Sequence, residues 1–350
     1  MKKLYTTSEY KKRNSKRSAD AMFKLRKKKP QKKNYITNEK KFVAITPKGE
    51  YFSGQKRIVY PTVTLTAPED FSLINQTEAT INYFNNASSL LKKRYQVLFD
   101  ISKIKTLTTD AIAVLVAKIN DSSFHFKSGI SGNEPNDGNL KKLFVESGFY
   151  DFVKTTGFVK PTSGNQLLIH KITNNRVEPD IAKNACLHGL RHTFKNEEIF
   201  EPLYDILIEV MQNTNNHAGE TRGKYDWWLN VYNHPDSSIT SYTFLDLGSG
   251  IFESLPVRSF KKDFFELFGW KSDFNLELVP KLFAGEIKSR TAKPERGKGI
   301  PQVFGCSQDG TFKKFILISN DIYADLKNKS YKLINTQFDG TMYYWEINNK

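Results

Sequence analysis

The sequence predicts an α/β (α+β) protein, in which helices cover sheets, and three observations carry that expectation. Strand-like apolar runs alternate with segments whose apolar residues return at helical spacing. Glycine turns punctuate them, at Gly248 and Gly250 after the apolar run Phe244 to Leu247, and at Gly297 and Gly299 before Ile300. Finally, 350 residues with a 39% hydrophobic share suffice for two domains with cores of their own.

The first 50 residues differ in composition from the rest. Net charge is +16, yet residues 1–50 hold 17 Lys or Arg against 4 acidic residues, which leaves 36 against 33 for the remainder. This stretch, densest at Lys24-Leu25-Arg26-Lys27-Lys28-Lys29-Pro30, has too little apolar surface to offset the entropy of ordering and is expected as an extended or partly helical arm. Two readings stand for it: a solubilising tail, or electrostatic binding of DNA or RNA phosphates. Tyr5, Tyr10, Phe23 and Tyr35 are interleaved to stack on bases or to dock on the chain's own body. Cys186 and Cys306 are too few and too isolated for a disulfide framework or a thiolate metal site, which points to a reducing compartment. No apolar run approaches the ~20 residues that span a bilayer, and no signal-peptide core opens the chain, so the expected location is cytoplasmic, with no membrane partner.

Residues 55–157 read as one α/β domain. Ile58–Leu65 is strand-like, Asn75–Lys92 helical, and Tyr95–Ile101 a buried strand; Thr109–Ile119 is a second apolar-striped helix, Ser123–Ser128 a strand, and Gly138–Ser147 a third helix. Gly157 and Pro161–Gly164 form a Pro/Thr/Ser/Gly-rich join. The second domain, 165–350, opens with a strand over Gln166–Lys171 and a helix over Pro179–Thr193. On that helix His188 and His192 stand at i and i+4, but no third ligand completes a metal site, so they read as surface or core histidines.

The central element is Glu201–Ala218. At about 100° per residue, Leu203, Leu207, Val210, Met211 and Thr214 fall on one side, and Glu209, Asn213, Asn216 and His217 on an adjoining one. A core face lies beside a chemical face. Further on come Asp246-Leu247-Gly248-Ser249-Gly250 at the end of a buried strand, then Arg296-Gly297-Lys298-Gly299-Ile300, then Asp339-Gly340-Thr341 between strand-like runs.

These four signals in this order, E-x3-N-x3-H, D-x-G-x-G, G-K-G-I and G-T, resemble the ATP-binding (Bergerat-fold, HATPase_c-like) domain of the GHKL superfamily of gyrase, heat-shock chaperones, histidine kinases and MutL. The resemblance covers about 165–350 and implies an α/β sandwich that binds ATP and Mg²⁺. It gives Glu209 the role of general base toward the attacking water and Asn213 that of Mg²⁺ ligand, with Asn216 and His217 a turn along. It assigns Asp246 the hydrogen bond to the adenine amino group, with Gly248 and Gly250 turning the backbone against the base. Gly297, Lys298, Gly299 and Ile300 would open a helix whose free N–H groups meet the phosphates, Lys298 and Arg296 adding charge, and Thr341 would close the adenine end. The 45 or so residues over 251–295 resemble the superfamily's ATP lid, with Arg290, Lys293 and Arg296 at its exit.

In the first domain, Val97-Leu98-Phe99-Asp100-Ile101-Ser102, continued through Thr108-Thr109-Asp110-Ala111, resembles a STAS domain, the fold of anti-sigma-factor antagonists. In that family a D-S-S-G loop opens a helix and presents a serine for phosphorylation. Here Asp110 takes the serine's place, and a carboxylate there is expected only to cap the helix.

The superfamily's branches differ. Histidine kinases usually carry Asn where Glu209 stands, and no upstream phosphoacceptor hairpin is evident, so histidine autophosphorylation is disfavoured. Gyrase, MutL and the chaperones add a transducer domain with a catalytic lysine, whereas this sequence has nine residues after Thr341, so hydrolysis is expected to be slow unless Lys298 or a partner protein supplies the charge. Anti-sigma kinases share the Glu-Asn-His pattern and recognise STAS partners. Three readings remain open: an ATPase switch read through the STAS-like domain and the arm, a protein Ser/Thr kinase acting on another chain, and a non-hydrolysing ATP sensor. A homodimer is compatible with each.

Overall fold

Sheets with helices laid against them make up the structure, a computed structural model that describes residues 36–38, 52–53, 56–121, 129–153, 164–172, 177–217, 226–255, 274–287 and 299–349. The chain divides into two compact units, Met1–Pro61 and Thr62–Lys350. In the first, β1 (Ile36–Asn38), β2 (Phe52–Ser53) and β3 (Lys56–Val59) form an antiparallel sheet in the order β1-β3-β2. The expected single strand Ile58–Leu65 is in fact two, β3 and β4 (Thr62–Thr66), in different sheets. The break falls at Tyr60-Pro61, where proline has no N–H to offer a ladder. The expected strand Ser123–Ser128 lies outside the described residues, as do the arm's aromatic residues.

The second unit is built on a five-stranded antiparallel sheet in the order β12-β13-β11-β10-β9, from β9 (Gln166–Ile172), β10 (Asp226–Asn233), β11 (Ile239–Asp246), β12 (Phe312–Asp325) and β13 (Ser330–Asn348). Its strands are rich in aromatic and β-branched residues, as in Asp226–Asn233 and Ile239–Asp246, which suits a pleated surface. Alternation sends Trp227, Leu229, Tyr242, Phe244, Leu317 and Trp345 to one face, against helices α4 (Pro179–Thr193) and α5 (Glu201–His217). The opposite parity, including Trp228, Leu245, Ile316, Ile318, Met342 and Tyr344, meets residues of the segment 62–153. Both faces are covered, and this is why β11 is buried at seven of its eight positions rather than at every second one.

The segment 62–153 is a parallel layer. β4, β6 (Gln96–Asp100) and β8 (Ile130–Gly132) pair in the order β4-β6-β8, with α1 (Thr77–Lys92) and α2 (Thr109–Asn120) as the crossovers. Asp70–Phe71 (β5) pairs with Thr106–Leu107 (β7), and α3 (Gly138–Glu146) is capped by Asp137, whose Oδ1 accepts from the N–H groups of Asn139 and Leu140 at 2.9 and 3.0 Å. Helix α2 is buried at every position from Thr109 to Lys118, because the parallel layer covers one side and β10 and β11 the other. Asn230 Nδ2 donates to the Thr109 carbonyl at 3.1 Å across that seam. Helix α1 grips the stretch of β13 that lies opposite the register break of β12 between Asn320 and Ile322: Glu78 Oε1 accepts from the Asn335 N–H (3.0 Å), Thr336 Oγ1 donates to Asn82 Oδ1 (2.6 Å), and Asn85 Nδ2 donates to the Gln337 carbonyl (2.9 Å).

Asp110, expected to cap α2, bonds a distant turn instead. It is fully buried, and its Oδ2 accepts from the N–H of Leu73, 37 residues earlier, at 2.7 Å. The carboxylate thereby fixes the turn that leads into α1. Burial pushes its pKa up, against the opposing pull of donors from Thr108 and Leu73.

Candidate functional site

Helix α5 has the predicted two faces. Leu203, Leu207, Val210, Met211 and Thr214 are all 1% exposed or less, while Glu209 and Asn213 are half-buried on the neighbouring face. That face meets α8 (Gly299–Ser307) at its first residue. A Cβ on Gly299 would displace the Glu209 carboxylate at Oε2 and stand 3.1 Å from Asn213 Oδ1, so the α8 backbone at this glycine lies directly against the two side chains. Asn213 Nδ2 is enclosed without a hydrogen-bond partner among the described residues, a donor that costs free energy unless something accepts from it. Ile300, next in α8, packs into the helix-side core, and Gln302 Nε2 donates to Asp205 Oδ2 at 3.3 Å. Burial first, and the neighbouring carboxylate of Asp205 second, raise the pKa of Glu209. A carboxylate held above its ordinary range holds a proton more readily than an exposed glutamate does, which suits a group that is to receive one.

The second cluster sits where β11 ends. Asp246 is 7% exposed; its Oδ1 accepts from the Gly248 N–H at 2.9 Å, and its Oδ2 from Thr214 Oγ1 at 3.3 Å. Thr214 follows Asn213 in α5, so one helix joins the two clusters. Across the ladder Asp246 faces Thr341, whose Oγ1 lies 3.3 Å from Ser319 Oγ. Gly340 has a φ of +130°, and a Cβ there would fall on the Asp246 carbonyl oxygen. The carbonyl side of Asp246 is thus packed by backbone, and its carboxylate is turned to the helix face.

The predicted residues therefore fall into four groups. Glu209, Asn213, Gly299 and Ile300 come together, as do Asp246, Gly248, Gly250 and Thr341. Asn216 and His217 close α5, where only their backbone is described. Arg290, Lys293, Arg296, Gly297 and Lys298 lie outside the described residues. Of the expected lid 251–295, the described parts include α6 (Ile251–Ser254) and α7 (Phe274–Phe283). His188 and His192 face loop and strand groups rather than each other: Asn233 Nδ2 lies 3.2 Å from His188 Nε2, and the Ser237 carbonyl 2.8 Å from His192 Nε2. Among the described residues no group of three or more His, Cys, Asp or Glu could hold a metal, and no helix is long and apolar enough to cross a membrane.

Sequence reasoning missed Ser319 and Asn320. Both are buried in β12, and their side chains meet the glycine turn rather than the core. Apart from a Ser-Asn pair after the apolar run Phe315–Ile318, the sequence carries no signal for them. No protein-family model matches the chain, and no curated protein matches it.

Proposed function

We propose that the chain binds Mg-ATP in the manner of the GHKL superfamily and is a slow ATPase serving as a nucleotide-dependent switch. The observation that carries this reading is the meeting of Glu209 and Asn213 at Gly299, with Asp246 tied to the same helix through Thr214. The residues present fit the ligand: Asn213 has an enclosed donor still to be used and a carbonyl oxygen suited to a hard cation. Asp246 would hold the adenine amino group, and the first N–H groups of α8, beginning at Gly299, would face phosphate with Lys298 and Arg296 adjoining. Mg²⁺, when bound, would neutralise charge developing on the phosphate oxygens. Glu209 would take the proton from the attacking water, for which its raised pKa suits it.

The reading is tested at Asp246. Asp246→Asn keeps the acceptor for Gly248 but replaces the carboxylate that an amino group would meet, and hydrogen bonds to charged groups contribute about 1.5–3 kcal/mol. Calorimetric titration is expected to show Mg-ATP affinity at least tenfold weaker with the unfolding midpoint unchanged; parental affinity in the folded variant would refute the role. Self-phosphorylation at the STAS-like helix is disfavoured, since the position aligned with the antagonists' serine is a fully buried aspartate. A kinase acting on another chain would show as labelled protein rather than free phosphate when γ-labelled ATP is supplied.

The basic arm would add nucleic acid to the switch. With 17 cations against 4 acidic residues in residues 1–50, neutralising six or more phosphates implies an affinity for duplex DNA that falls about 10³-fold or more between 50 and 200 mM salt. Deleting residues 1–49 is expected to abolish gel shifts of DNA and RNA and to leave ATP affinity unchanged. Equal shifts by the full and shortened chains would assign the arm a solubilising role instead.

A further inference from the structure

Three separate pieces of the site converge on two side chains that none of its motifs contains. Strand β12 breaks register at Ser319, Asn320 and Ile322, and Asn320 adopts a φ of +56°. This left-handed kink aims the Asn320 side chain, 1% exposed, at the turn after Asp246. Its Oδ1 accepts from the N–H groups of Phe252 (3.0 Å) and Glu253 (3.3 Å), and its Nδ2 donates to the Ser249 carbonyl (2.9 Å). Gly250, at φ +79°, passes so close that a Cβ would come within 2.5–2.7 Å of three Asn320 atoms. Beside it, Ser319 Oγ accepts from the Ile251 N–H (2.8 Å) and donates to the Gly340 carbonyl (2.9 Å).

We infer that Asn320, assisted by Ser319, is the positioning residue that holds the Gly248–Gly250 turn, the start of the 251–295 segment and the Gly340-Thr341 step in one arrangement, and so sets nucleotide affinity from a strand outside every motif. The inference rests on the nucleotide reading of the site. Asparagine suits this role in both its amide and its backbone. Two lone pairs receive two successive N–H groups, one amide proton meets a carbonyl, and the left-handed conformation is one that asparagine tolerates better than most residues. Aspartate would keep the acceptors and oppose a carboxylate oxygen to the Ser249 carbonyl. Glycine would keep the kink and lose every bond.

The test uses the full chain in three variants: Asn320→Gly, Asn320→Asp and, as a control for general destabilisation, Leu91→Ala in α1. Hydrogen exchange at residues 251–253 and Mg-ATP affinity are read for each. Asn320→Gly is expected to exchange at least tenfold faster at Phe252 and Glu253, with Ile251 less affected, and to bind Mg-ATP roughly ten- to a hundredfold more weakly; Asn320→Asp falls between it and the parent. Leu91→Ala is expected to lower the unfolding midpoint and leave affinity unchanged. Unaltered exchange at 252–253 in Asn320→Gly, or parental affinity despite faster exchange, overturns the inference. If the parent itself fails to bind Mg-ATP, the nucleotide reading falls separately, and the exchange measurement still decides whether Asn320 holds the turn.

Discussion

Gly340→Ala is expected to cost the fold roughly 2–6 kcal/mol, combining a strained backbone with overpacking against a neighbour that cannot give way. The φ of +130° is one that side-chain-bearing residues rarely adopt, and the added Cβ would meet the Asp246 carbonyl oxygen, a backbone atom held in the β11–β13 ladder. Against a total stability of about 5–15 kcal/mol, a loss of that size leaves little folded protein at physiological temperature. Gly305→Ala is the matched control: it lies in α8, a Cβ there meets nothing within 4 Å, and alanine in a helix interior is expected to stabilise by roughly 0.5–1 kcal/mol. Urea unfolding of both variants decides the matter, and a Gly340→Ala midpoint equal to the parent's would show that residue 340 is not held as described.

Glu209→Gln is expected to lower ATP hydrolysis by about 10²- to 10⁴-fold while Mg-ATP affinity is kept, since amide and carboxylate fill the same space but only one accepts the proton. The same variant is expected to be more stable than the parent at neutral pH. The folded-state pKa of Glu209 is raised by burial and by Asp205, so the stability linked to this group is fully present below the unfolded value and is lost as pH rises through the folded one. Glutamine has no such loss. The gain in midpoint should therefore appear near pH 7 and vanish in acid. Hydrolysis at the parental rate would remove Glu209 from the chemistry, and a midpoint that falls at neutral pH would show the ionised form to be favoured there.

Helix α5 was legible almost residue by residue, because a helix that buries one stripe writes its period directly into the sequence: Leu203, Leu207, Val210 and Met211 are the core, and Glu209 and Asn213 the adjoining face. The end of β11 was legible as a buried strand running into a glycine turn, since a carboxylate at such an end can accept from the turn's own N–H, as Asp246 does from Gly248. Helix α2 shows where period alone misleads. Thr109 to Lys118 reads as an apolar stripe, but the helix is enclosed all round, and what encloses its second side is encoded in β10 and β11, far along the chain. Ser319 and Asn320 were illegible, since their importance arises from a register break and a left-handed kink, both set by pairing with β13. Asp110 carried a local signal, an acid in a first helical turn, that its distant partner Leu73 overrode.

The enclosure of α2 also bears on how the molecule is made. Thr109 leaves the ribosome 121 residues ahead of Asn230, the β10 side chain that bonds its carbonyl. At elongation rates of about 5–20 residues per second, that interval lasts roughly 6–24 s, and β13 comes later still. Throughout it, the nascent first half presents a helix with an apolar side and no sheet to receive it, which is the kind of surface that holding chaperones bind. The order of synthesis thus imposes a wait on a half of the protein that, once folded, shows no trace of having been incomplete.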